Sequence, residues 1–167
     1  LKYYPKIEIK GKVVVSKRYE IKLAKGSKLY INGNLILMND VLIQANENAV
    51  ITIGKNCFMN RTCSIVSHSS VTLGENVMLG EHVKIYDNDH AIEGATIMRK
   101  KFVTQDVHVG DNCWLANNVV VLKGSKIGDN VVVGAQSLVR GVLDSNSIYA
   151  GIPCRKVKDL KENEIPS

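Results

Sequence analysis

The sequence has few aromatic rings and almost no proline. Phe, Trp and Tyr make up 5% of the 167 residues, and Pro occurs three times. No basic stripe alternates with stacking rings, so a nucleic-acid surface is not expected. No apolar run approaches a membrane span, because Asp40, Glu47 and Lys55 interrupt the most apolar region. The opening "LKYYPKIEIK" lacks a signal-peptide core, and a cytoplasmic location is expected. Cys57, Cys63, Cys113 and Cys154 form no CxxC pair, so neither a zinc site nor a redox motif is read from them.

What is present suits one folded domain. Hydrophobic residues are 45% and charged residues 23%, enough to build a core and argue against disorder. The net charge of +6 suits an anionic ligand such as a phosphorylated cofactor, or simply a solvated basic surface.

The strongest pattern is a six-residue beat. Ile53, Met59, Ile65 and Val71 keep it, then Leu73, Leu79 and Ile85, then Val109, Leu115, Val121, Ile127, Val133 and Val139. Upstream it reaches Leu23, Leu29, Leu35 and Val41, with Glu47 as a misfit. Glycine often follows, at Gly54, Gly74, Gly80, Gly110, Gly128 and Gly134. The fifth position is small or β-branched, as at Cys57, Cys63, Ser69, Cys113, Ser125 and Ser137. Helical periodicity would drift around the axis, and plain strand alternation would not fix glycine at every sixth residue. A short strand plus a sharp corner fits, with glycine supplying the corner conformations. Stacked coils then cover each other's aliphatic column, as in a solenoid. The predicted organisation is one domain over 1–167, with irregular strands at 1–22, the solenoid at 23–140 and a closing segment at 141–167. The three cysteines at fifth positions are expected as buried thiols.

The beat weakens over "YDNDHAIEGATIMRKKFVTQD", residues 86–106. Ile85 and Val109 are a whole number of hexads apart, and Ile97 and Val103 between them stay in phase. Tyr86, Ala91, Glu93 and the "MRKK" run fit a core-facing rhythm poorly, so an extruded loop is predicted. Long loops on rigid repeats commonly carry function. Of the four histidines, His68, His82 and His108 lie within hexads, and His90 alone lies in the interruption.

The segments "NRTCSIV", "LGENVMLGEHVKI", "VGDNCWLANNVVVLKGSKIGDNVVVGAQS" and "AGIPCRKV" resemble the hexapeptide-repeat acyltransferases, in the branch of galactoside, maltose and capsular-polysaccharide O-acetyltransferases. The resemblance covers about residues 50–158 and implies an all-β, left-handed parallel β-helix. It implies acetyl transfer from acetyl-CoA to a hydroxyl of a sugar or glycan. His90 matches the family's catalytic histidine, and a general base with a pKa near neutrality suits hydroxyl attack. Asn60, Asn117, Ala135, Arg140, Arg155 and Lys158 match cofactor positions, the basic ones facing the CoA phosphates. Asp87, Asn88, Asp89 and Glu93 surround His90 as candidate acceptor contacts. His68 stands where the galactoside pattern has an acidic acceptor residue. Trp114 should point outward, walling the site or meeting a neighbouring subunit. The resemblance further implies a homotrimer with active sites between subunits, and no metal.

Two other functions fit the repeat. A zinc hydratase of the γ-carbonic anhydrase kind needs three histidine ligands in a wide-then-close spacing. His68, His82 and His108 sit within hexads instead, and the widest gap, from His90 to His108, comes last. A non-catalytic β-helix serving as scaffold or binding module has no need of the His90 interruption joined to the "AGIPCRKV" ending. Transfer to the amine of an amino sugar also stays open.

Overall fold

Alternating buried and outward side chains run through short strands, and sharp corners separate them. The computed structural model describes residues 5–161, and among these every regular element is a strand. Three sheets of seven, eight and six strands, parallel except for one closing strand, form the three faces of a prism, the architecture of a left-handed parallel β-helix. Each coil contributes one strand to each face. The third coil, for example, is Val50–Ile53 on the first face, Cys57–Met59 on the second and Ser64–Ser67 on the third. Six coils are complete. A seventh ends with Ser147–Gly151, against which Cys154–Asp159 returns antiparallel.

Residues 6–23 do not behave as irregular strands. Lys6–Ile9, Val13–Val15 and Tyr19–Leu23 form a whole first coil, each strand in parallel register with the second coil. The solenoid therefore begins well before residue 23. Coil length explains why the hexads do not reveal it. Lys6 pairs with Lys28 and Lys28 with Val50, so the first two turns run longer than three hexads. The turn from Val50 to Ser70 is shorter, and only from His108 to Lys126 does a turn equal three hexads. The last, Lys126 to Val142, is shorter still. Glu47 falls out of phase because the longer coils carry extra residues around the corner between the third and first faces.

The core is the predicted aliphatic column. Leu29, Ile51, Met59, Ile65, Ile85, Val109, Leu115, Val121 and Val133 have no exposed surface. Cys57, Cys63 and Cys113 are buried free thiols that donate to Gly74 O (3.2 Å), Gly80 O (2.9 Å) and Gly128 O (3.1 Å) of the next coil. Burial pushes the Cys63 and Cys113 thiols up to about 11, so they stay protonated and unreactive at neutral pH.

The recurrent glycines have a different cause from the expected one. Left-handed backbone occurs just beyond them, at Asn56, Asn76, Asn112 and Asn130, and again at Asn146, with φ between 54° and 56°. Asparagine tolerates this conformation better than most residues. The asparagine amides also form a ladder along the corner between the first and second faces, with contacts of 3.3, 2.9, 3.3 and 2.8 Å. The glycines are required by close approach. A Cβ on Gly74 would lie 2.7 Å from the Gly110 carbonyl carbon, and one on Gly110 would lie 2.7 Å from that of Gly128.

Candidate functional site

The interruption is an antiparallel hairpin of Asn88–Glu93 and Thr96–Thr104. It leaves the corner between the third face of the fourth coil and the first face of the fifth. Across it, the register partners Val71 and Val107 stand twice as far apart in sequence as His108 and Lys126 one coil later. That is why Ile97 and Val103 keep time with the repeat although they are 66% and 50% exposed. A tight turn, Gly94-Ala95, closes the hairpin, with Gly94 at φ 58°.

The base of the hairpin is clamped to the coil beneath. Asp87 is fully buried. Its Oδ2 accepts from the Ser67 hydroxyl (2.6 Å) and the Ser69 amide (2.9 Å). Its Oδ1 accepts from the His68 amide (2.8 Å) and Asn88 Nδ2 (3.1 Å). These bonds use the acceptor sites of the carboxylate. Asp87 is thus a structural anchor, which corrects its expected place among the acceptor contacts. At the other end of the insertion the Ser69 hydroxyl donates to Asp106 Oδ1 (2.5 Å), and the Gln105 amide donates to Asp87 O (2.9 Å). Asn88 is half-buried and reaches Val66 O (3.3 Å), so it too holds the base.

His90 is exposed, and the hairpin register shifts between it and Ala91. Such a bulge re-aims a side chain. Phe102, its cross-strand partner, lies between two imidazoles. Ring centroids are 4.7 Å apart to His90 and 3.9 Å to His68. Burial lowers the His68 pKa, the Asp87 carboxylate opposes this, and the nearby His90 adds to the lowering. His68 is therefore held toward its neutral form beside an accessible histidine. Asp89 pairs with Lys123 (3.3 Å) and shares with it and Arg140 a groove of about 390 Å³ at the hairpin base. Glu93 sits near the hairpin tip in an ion pair with Lys101.

The other expected residues lie elsewhere on the prism. Asn60, Asn117 and Ala135 follow second-face strands, so they stack along the edge between the second and third faces. The hairpin leaves the opposite edge of the third face. Asn60 Oδ1 accepts from the Arg61 amide (2.8 Å), and Asn117 Oδ1 from the Glu81 amide (2.9 Å), so both side chains brace corners through their oxygens. Arg155 and Lys158 lie on the returning strand, paired with Ala150 and Ile148. Trp114 points outward on the second face, 47% exposed. It belongs to an outward apolar column, Ile36, Phe58, Met78, Trp114, Val132 and Ile148, whose members are register partners in successive coils. A groove of about 400 Å³ runs beside it, walled by Met78, Val132, Leu160 and the asparagine ladder. One chain therefore does not bring His90 to Trp114 or to the Asn60 edge.

Sequence reading missed Phe102, Ser67, Ser69, Asp106 and Lys123. Phe102 had a signal, being one of only two phenylalanines and lying inside the interruption. The serine contacts had none, because they join the hairpin base to the preceding coil. Among the described residues no three His, Cys, Asp or Glu side chains converge as a metal site.

Residues 106–141 match the family model described as "Bacterial transferase hexapeptide (six repeats)". The galactoside O-acetyltransferase of Escherichia coli K12 is 31% identical over 114 residues, which are 68% of this chain and 56% of that protein. A putative lipopolysaccharide biosynthesis O-acetyl transferase of the same organism, WbbJ, is 33% identical over 125 residues, 70% of this chain and 64% of that one. The chain thus spans less than two thirds of these curated relatives. A solved galactoside acetyltransferase in complex with coenzyme A superposes with a TM-score of 0.62 at 30% identity, covering 68% of this chain and 56% of that one.

Proposed function

Because the chain belongs to the family of bacterial hexapeptide-repeat transferases, we propose that it moves an acetyl group from acetyl-CoA to a hydroxyl of a sugar or glycan precursor. The observation that carries this reading is the exposed His90 imidazole, held on a hairpin that the solenoid excludes. His90 removes the hydroxyl proton as the oxygen attacks the thioester carbon. The C–S bond then breaks, and the proton passes to the departing CoA thiolate. A positioned base of this kind contributes roughly 10²–10⁴ in rate.

The edge between the second and third faces suits the donor. Ala116, Gly134, Ala135 and Ala150 make it smooth enough for a thin pantetheine arm, with Asn60 and Asn117 beside them. Arg155 and Lys158 stand at its closing end, where phosphates would meet cations. Asp89 and Arg140 flank the hairpin base as acceptor and phosphate contacts. The relatives named for galactoside and lipopolysaccharide O-acetylation support a sugar hydroxyl as acceptor. An acetyl-CoA donor suits the cytoplasm.

His90 and the donor edge lie on opposite sides of the third face, which supports a site completed by a second chain. The outward apolar column through Trp114 is the surface that supports assembly, and a homotrimer closes such contacts symmetrically.

The test is thiol release from acetyl-CoA with a panel of sugars and amino sugars. His90→Ala should lower kcat/KM by roughly 10²–10⁴. Equal rates for the two proteins would remove His90 from the mechanism, and turnover with amines alone would replace the hydroxyl reading. Sedimentation of the same samples reads assembly, and a fully active monomer would exclude the shared site.

A further inference from the structure

An exposed imidazole samples several rotamers unless something holds it. His90 is exposed, and among the described residues no hydrogen bond or ion pair reaches its ring. The hairpin register supplies the holding group. Near the tip, Glu93 faces Thr96, Ile92 faces Ile97 and Ala91 faces Met98. That register, continued, would set His90 opposite Arg99. Instead Arg99, Lys100 and Lys101 have no cross-strand partner, and Phe102 arrives opposite His90. Directly opposed residues share a face of the hairpin. Here the two ring centroids are 4.7 Å apart. The exchange matters chemically. A guanidinium opposite His90 would disfavour a second positive charge and weaken the base, whereas a phenyl ring adds no charge.

Phe102 is itself tied to the scaffold. Its ring is half-buried and lies 3.9 Å, centroid to centroid, from His68 on the third coil. The His68 amide donates to Asp87 Oδ1 (2.8 Å), and the Gln105 amide donates to Asp87 O (2.9 Å). One buried residue therefore fixes His68 and both strands of the hairpin. Phe102 has no place in the three faces of the prism, since its strand pairs only within the hairpin.

We propose that Phe102 is a positioning residue: backed by His68, it holds the His90 imidazole at the angle from which it takes the acceptor's proton. The role rests on the reading of His90 as general base. A ring contact orients the imidazole without engaging either nitrogen, so both stay open. Burial holds His68 toward its neutral form, so it adds no positive charge beside a group that must accept a proton.

Thiol release from acetyl-CoA and proton NMR of the His90 ring test it together. Phe102→Leu should lower kcat roughly three- to tenfold, the worth of one aromatic pair, with KM for acetyl-CoA unchanged. Phe102→Tyr, which keeps the ring, should restore kcat. In a His90→Ala background Phe102→Leu should have no further effect. The His90 ring protons, assigned by their absence from His90→Ala, should carry a ring-current shift that Phe102→Leu removes and Phe102→Tyr keeps. If Phe102→Leu does not fold, His68→Ala is read instead, with a loss in kcat of about two- to threefold and the same unchanged KM. Full kcat in Phe102→Leu would overturn the proposal. So would a raised KM for acetyl-CoA at unchanged kcat, which would make Phe102 a donor contact, or an equal loss in the His90→Ala background. His90→Ala as active as the wild type would reject the general-base reading, whereas an unmoved His90 resonance in Phe102→Leu would reject the ring contact itself.

Discussion

The segment from Asn88 to Gln105 and the coil that follows it are equal in length and opposite in fate. The fifth coil buries Val109, Leu115 and Val121 completely. The insertion exposes Ile92, Ile97 and Val103, although Ile97 and Val103 share the six-residue phase. Period alone therefore does not place a segment in the prism. Corner and core chemistry do. In the fifth coil Gly110 follows Val109 and Cys113 fills the small fifth position. After Ile97 the same positions hold Met98 and Lys101. A coil here would bring a Cβ against neighbouring backbone and a lysine into the core, where an unpaired charge is costly. Gly94 and the Glu93–Lys101 pair favour the hairpin instead.

The comparison is sharpest in paired substitutions. Ile85→Ala should cost roughly 2–5 kcal/mol by leaving a cavity in the column. Ile97→Ala, in phase with it but exposed, should stay within about 0.5 kcal/mol. Denaturant midpoints measure both, and similar losses would mean the hairpin packs into the core. Glycines give a smaller contrast. Gly110→Ala pushes a Cβ into the Gly128 backbone and should cost roughly 1–3 kcal/mol. Gly94→Ala meets nothing within 4 Å and should cost only its left-handed strain, about 1 kcal/mol.

The smallest effect is one of pH. The folded His68 has a pKa below its ordinary 6.5, chiefly because burial penalises its charged form. The unfolded chain then binds this proton more readily, so stability falls as pH drops from 6.5 toward the folded value. His68→Gln should flatten that part of the curve of denaturant midpoint against pH. An unchanged slope would show that His68 is not the group responsible.

Much of this is legible in the sequence. The three-hexad coils declare themselves through Val109, Leu115 and Val121, and the buried thiols through their fifth positions. His90 stands out because it breaks the rhythm. The first coil is not legible as hexads, and Glu47 drops out of the beat after the second, since these longer turns carry a third core residue on a face, as with Val41, Ile43 and Ala45. The cause of the glycines is hidden as well. Close approach between coils depends on the next turn, whereas φ is local. Asp87 reads as a ligand contact because a chain of polar residues gives no sign of which carboxylate faces inward. Its burial follows from the Ser67–Ser69 segment one coil earlier.

Excision of Asn88–Gln105 tests the central claim, that a phase-preserving insertion carries the chemistry and the prism does not need it. Joining Asp87 to Asp106 leaves the same spacing from Tyr86 to His108 as from Leu122 to Lys126 in the next coil, whose register is already seen. The account predicts a cooperative melting transition close to that of the intact chain and loss of thiol release from acetyl-CoA. Retention of sugar-dependent thiol release by the excised protein would contradict it.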